Sequence, residues 1–107
     1  MDLTKQKCVP CEGGTKPFDK NETDKYLSMV KGWSVEEEKK IKKEFKFKDF
    51  KEALNFVKKV GDIAESENHH PNILLYGWNK VRITLTTHAI KGLSINDFIL
   101  ASKIDRV

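Results

Sequence analysis

Three histidines fall within twenty residues of one another: His69, His70 and His88. Histidine is the side chain whose unperturbed pKa, about 6.5, suits proton transfer near neutral pH. Glu65 stands four residues before His69. The two share a helix face if a helix runs that far, and a carboxylate there would orient the imidazole and favour its charged form. His88 has the parity of Arg82, Thr84 and Thr86 and so belongs to a polar series or to a strand end. Taken singly, each histidine reads as a surface residue. Taken together beside Glu65, at junctions between elements, they read as an acid/base site.

Two other chemistries fit the same residue types less well. Neighbouring side chains diverge, so His69 and His70 would converge on one zinc ion only with an unusual backbone. No metal is expected. Nucleophilic catalysis lacks a Gly-x-Ser-x-Gly elbow. The remaining candidate unit is Cys8-Val-Pro-Cys11. It could be half a zinc site or a redox pair. It has no second cysteine pair nearby and sits in a lead-in rich in Pro10, Gly13, Gly14 and Pro17, so reduced thiols in a loop are expected.

The elements that must position the histidines are legible from periodicity. Residues 1–20 read as an irregular arm, and residues 21–107 as one domain. A first helix fits Glu22 to Lys31, capped by Asn21 and carrying Tyr26, Leu27 and Val30 on one face. Trp33 and Val35, then Ile41, Phe45 and Phe47, alternate with polar residues and predict two strands with one wet face. A long helix runs from about Phe50 to Asn68. Asp49 and Glu52 form its capping box, and Phe50, Ala53, Leu54, Val57, Val60 and Ala64 form the stripe that meets the sheet. Pro71 forces its stop. A second strand pair spans Ile73 to Trp78 and Lys80 to Thr87. A last helix follows Gly92, with Ser94 as cap and Asp97 at its third position. The result is a two-layer α+β domain: a four-stranded antiparallel sheet with helices on one face, in the order α-β-β-α-β-β-α.

At 107 residues and net charge +4, the chain is one small, mildly basic domain. It has no apolar run near eighteen residues, so no membrane span is expected. Met1 to Lys7 lack the apolar stretch of a secretory signal, and a cytoplasmic location is the default. Lys39, Lys40, Lys42, Lys43, Lys46 and Lys48 could contact phosphates or simply solubilise a sheet face. Glu36, Glu37, Glu38 and Glu44 interrupt them, so nucleic acid is not expected as a partner. A four-stranded sheet has two open edges. The run Phe98 to Ala101 and the off-stripe Phe56 add apolar surface. A homodimer through sheet edges or a homotetramer through helices is expected, with Leu100 or Phe56 partly buried between subunits.

The run Glu65-Ser-Glu-Asn-His69-His70-Pro71, then Trp78, His88 and Asp97 at spacings of six, nine and eight intervening residues, resembles the signature of the pterin-4a-carbinolamine dehydratases. Thr86-Thr87 before His88 and Gly92-Leu93-Ser94 before Asp97 strengthen the resemblance, which is closest from Glu65 to Ile104. It implies that 4a-hydroxytetrahydrobiopterin loses water to give the quinonoid dihydropterin, in the recycling of a tetrahydropterin spent by an aromatic amino acid hydroxylase. It implies no cofactor. It also implies a site made of Glu65, His69, His70, His88 and Asp97. His69 and His88 would transfer protons, Glu65 would tune His69, and His70 would orient the pterin. Pro71 would shape the turn, and Trp78, or alternatively Tyr76, would line the pocket. Asp97 would cap the last helix, touch the site, or both. The competing reading is a non-catalytic binding module or transcriptional coactivator and dimerisation partner.

Overall fold

The computed structural model describes residues 2–9 and 16–107. Asp19 opens the first helix, α1 (Lys20–Leu27), by a reciprocal cap. Its carboxylate accepts the Glu22 N–H at 2.8 Å, and the Glu22 side chain accepts the Asp19 N–H at 3.3 Å. The helix therefore begins two residues before the position that Asn21 would have capped.

The strands are β1 (Ser34–Glu36), β2 (Lys40–Lys46), β3 (Asn72–Tyr76) and β4 (Lys80–Leu85). They pair antiparallel in the order β1-β2-β4-β3, with Ile41 opposite Leu85, Phe45 opposite Val81 and Ile73 opposite Ile83. Along β4 the buried Val81, Ile83 and Leu85 alternate with half-exposed Lys80, Arg82 and Thr84. One sheet face is thus covered by helices and the other is wet, as the period-two pattern requires.

The long helix α2 spans Phe50–Glu67. Asp49 accepts the Glu52 N–H at 2.8 Å, whereas the Glu52 carboxylate reaches the Lys48 N–H at 3.1 Å, so the expected capping box is only half made. Its buried stripe is Ala53, Phe56, Val60 and Ala64, with Phe50 and Leu54 left half exposed. Phe56 joins the stripe, and Phe45 and Phe47 meet its ring at centroid distances of 4.6 and 4.9 Å. Its spacing of three from Ala53 and four from Val60 puts it on the same helix face.

The last helix, α3 (Ile95–Ile104), is capped by Ser94 with Asp97 completing the box. It is enclosed by α1, α2 and a 3-10 turn of the arm, Leu3–Lys5, whose Leu3 is buried. This enclosure accounts for the apolar run on α3. Leu100 is 0% and Phe56 7% exposed within a single protomer, so neither is left over for another subunit. The apolar side chains that do remain on the surface include Phe50 and Leu54, one turn apart on α2, and Leu74 on the edge strand β3. Among the described residues no helix is long and apolar enough to cross a membrane.

Candidate active site

The helix that delivers the histidines ends earlier than the proline demands. Asn68 adopts a left-handed conformation (φ 51°, ψ 40°), and its N–H closes onto the carbonyls of Ala64 and Glu65. Asparagine tolerates this conformation and is a common helix terminator. The His69 N–H then bonds the Ala64 carbonyl at 3.2 Å, and the chain leaves the helix axis.

This turn breaks the relation expected between Glu65 and His69. Four-residue spacing aligns two side chains only while the helix continues. Glu65 instead approaches His70, at 3.0 Å between Oε2 and Nε2, in an exposed pair. His69 turns toward α3, where its Nε2 lies 2.7 Å from Asp97 Oδ1.

Asp97 is 0% exposed, and its Oδ2 faces two donors. Oδ2 accepts the Ser94 N–H at 3.0 Å and the Thr87 hydroxyl at 2.9 Å. Thr87 Oγ1 and Ser94 Oγ are 2.8 Å apart. Thr87 has one proton and gives it to Asp97, so Ser94 donates to Thr87. A carboxylate so surrounded acts as acceptor, which assigns the proton on the His69–Asp97 bond to Nε2. Nδ1 is then the ring nitrogen left for other work. Asp97 thus serves both as helix cap and as histidine partner.

His88 opens a short 3-10 turn, His88–Ile90, directly after Thr87. The two side chains go opposite ways. Thr87 is buried on Asp97, while His88 is exposed and lines a cavity of about 220 Å³ with Lys39, Lys40, Thr86 and Lys91. The His88 carbonyl accepts the Lys91 N–H at 3.2 Å, but its side chain forms no hydrogen bond among the described residues, so its link to His69 runs through Thr87 and Asp97. Pro71 is half-buried and leads into β3.

Trp78 is not brought to the histidines. The six residues between Pro71 and Trp78 are mostly strand β3, which at about 3.4 Å per residue carries the chain some 17 Å away. Trp78 sits at the far end of the β3–β4 hairpin, after Gly77, at positive φ (59°) and 61% exposed. Tyr76 lies at that end too. Its hydroxyl donates to Glu44, and its ring faces Arg82 at 5.5 Å.

Sequence reasoning missed a brace behind the pair. Glu67, the last residue of α2, is buried; its Oε1 accepts the Cys8 N–H at 2.8 Å and its Oε2 the Lys103 ammonium at 2.7 Å. Burial works to raise its pKa, but Lys103 and the Cys8 N–H hold it below the usual carboxylate value. Asn96, beside Asp97, accepts the Val9 N–H at 3.0 Å. The arm therefore grips the residues flanking both His69 and Asp97. These partners lie 36 to 87 residues apart in sequence, with no local signal. The Cys8 thiol is free and half-buried, and burial together with the Glu67 charge pushes its pKa up to about 12, which disfavours the thiolate. Cys11 lies outside the described residues. Among those residues no group of three or more His, Cys, Asp or Glu is arranged to hold a metal ion.

Residues 16–107 match the model of the family described as pterin 4 alpha carbinolamine dehydratase. A relative from Halorhodospira halophila, provisionally named a pterin-4-alpha-carbinolamine dehydratase, is 49% identical over 107 residues, covering 98% of this chain and 96% of its own. One from Rubrobacter xylanophilus, with the same provisional name, is 42% identical over 106 residues, covering 99% and 98%. Among solved structures, a transcriptional coactivator/pterin dehydratase from Brucella melitensis superposes with a TM-score of 0.79 at 32% identity, over 85% of this chain and 97% of its own. A pterin dehydratase-like RuBisCO assembly factor of the alpha-carboxysome, at TM-score 0.60 and 23% identity, shares the fold.

Proposed function

Since the chain belongs to the pterin 4 alpha carbinolamine dehydratase family, we propose that it dehydrates a 4a-hydroxytetrahydropterin by histidine acid/base catalysis. The observation that carries the reading is the part-buried His69–Asp97 pair, 2.7 Å long and closed by Thr87 and Ser94. In the reaction one proton joins the departing 4a-hydroxyl, which leaves as water, and one proton leaves a pterin nitrogen as the C=N bond forms. An acid and a base suffice, and a positioned pair of such groups contributes about 10²–10⁴-fold. His69 through Nδ1, and His88, transfer the protons. Asp97 fixes the His69 ring. His70 orients the pterin, with Glu65 as its partner, and Pro71 sets the turn between His70 and β3. No cofactor takes part.

The substrate is the 4a-hydroxytetrahydrobiopterin that an aromatic amino acid hydroxylase releases, in the cytoplasm, and the active form is a homo-oligomer. Leu74 on the open edge of β3 and Phe50 with Leu54 on α2 are the surfaces that would meet another copy. A second reading, a coactivator or dimerisation partner, is favoured by the description of the Brucella melitensis protein. The test is a dehydration assay on freshly generated 4a-carbinolamine. Acceleration over buffer supports the enzyme, and a rate equal to buffer moves the assignment to the binding module.

A further inference from the structure

The cavity that holds His88 is lined by three lysines and no carboxylate. Lys39, Lys40 and Lys91 form no ion pair among the described residues, whereas the nearby Lys42 and Lys43 are paired with Glu36 and Asp105. Glu37 and Glu38, in the same turn as Lys39, line the adjoining cavity of about 380 Å³ together with Asp19 and Asp24. The two cavities meet at Lys39 and Lys91.

The backbone holds this cluster together. The Thr86 hydroxyl donates to the Lys39 carbonyl at 2.7 Å, tying the β1–β2 turn to the end of β4. Thr87 and Gly92 exchange backbone hydrogen bonds at 2.9 and 3.4 Å. Gly92 lies so close to Pro17 that a Cβ there would stand 2.6 Å from the proline ring. Between these anchors Lys91 is held at φ 54°, a left-handed conformation that residues with a side chain seldom adopt. Backbone in a disfavoured conformation beside like charges that form no ion pair among the described residues works against stability, and such features concentrate at ligand sites.

We propose that Lys39, Lys40 and Lys91 form an anion subsite beside His88 that lets the site take, besides 4a-hydroxytetrahydrobiopterin, a pterin phosphorylated on its side chain, the lysines holding the phosphate group. The inference rests on the pterin-site reading above and adds a second class of ligand to it. The lysines act as compact point charges on the phosphate oxygens. They bind the tail of the substrate and have no part in proton transfer.

The experiment compares a 6-hydroxymethyl-dihydropterin with its phosphate monoester as ligands of the full chain, by calorimetry at low and high salt. The ester should bind about tenfold more tightly at low salt and lose that advantage at high salt, as expected for several partly exposed charge pairs. Inorganic phosphate should compete with the ester. The variant Lys39→Gln/Lys91→Gln should bind the two pterins equally. Equal binding by the unaltered protein, an advantage that survives in the variant, or phosphate that binds without displacing the ester would overturn the subsite alone. Failure of both pterins to bind would overturn the pterin-site reading along with it.

Discussion

Replacing Asp97 by asparagine separates helix capping from histidine positioning. The asparagine oxygen can keep the Oδ2 place, accepting the Ser94 N–H and the Thr87 hydroxyl, so the cap survives. Its amide then faces His69 Nε2, donor against donor, and the ring must move its proton from Nε2 to Nδ1. What is lost is one hydrogen bond to a charged group, about 1.5–3 kcal/mol. Relief by the tautomer change returns part of this, so Asp97→Asn should cost about 1–2 kcal/mol. For a domain of this size that lowers Tm by roughly 5–15 °C. Turnover should fall on the order of 10²-fold, because Nδ1 no longer offers its lone pair. Asp97→Ala is harsher. It leaves the Ser94 N–H, the Thr87 hydroxyl and His69 Nε2 unsatisfied in a buried place, about 3 kcal/mol or more. Calorimetry gives Tm, steady-state kinetics gives kcat, and long-range ¹⁵N–¹H correlation spectra give the His69 tautomer. Asp97→Asn with lowered Tm but unchanged kcat and tautomer would refute the positioning role and leave Asp97 a cap alone.

Because the pKa of Glu67 is lowered in the folded protein, its contribution to stability is present above the ordinary carboxylate pKa and is lost as pH falls below it. Glu67→Gln should therefore be less stable at neutral pH and show a shallower acid limb, and parallel limbs in urea titrations would contradict this. The Cys8 thiol, pushed up to about 12, contributes stability below the free-thiol value that is lost as pH rises above it. It should accordingly be alkylated at pH 8 at least about tenfold more slowly than in the unfolded chain, because the thiolate is the reactive form. Peptide mapping by mass spectrometry would show equal rates if the arm were not seated. Light scattering should give a mass above the 12.3 kDa of one chain, and Leu74→Arg on the open edge of β3 should lower it. A monomer at high micromolar concentration would contradict assembly.

The fold was legible because each element carries its own signal. Alternation of Val81, Ile83 and Leu85 with Arg82 and Thr84 marks a half-wet strand, and Ser94 with Asp97 marks a helix start. What failed was set by single backbone conformations and by distant partners. The left-handed Asn68 redirected His69 from Glu65 to Asp97, although an asparagine ahead of the histidines was itself a stop signal. Phe56 stands three residues after Ala53 and four before Val60, so it belongs to the buried period of α2, and Phe50 and Leu54 fall at the rim of that stripe. The spacing from Pro71 to Trp78 does not show whether the intervening residues fold back or run straight, and β3 runs straight. Thr87 was legible only as part of the motif before His88 and not as a partner of Asp97, and the Glu67 brace joins residues from the two ends of the chain.

The central claim is that His69 and His88 carry the protons. It is tested most directly by kcat/KM of His69→Ala and His88→Ala on the 4a-carbinolamine, with Tm measured on the same samples. Each variant should lose on the order of 10²-fold or more in kcat/KM. The exposed His88 should leave Tm unmoved, and His69→Ala should lower it only by the loss of the bond to Asp97. Wild-type kcat/KM in both variants would contradict the account.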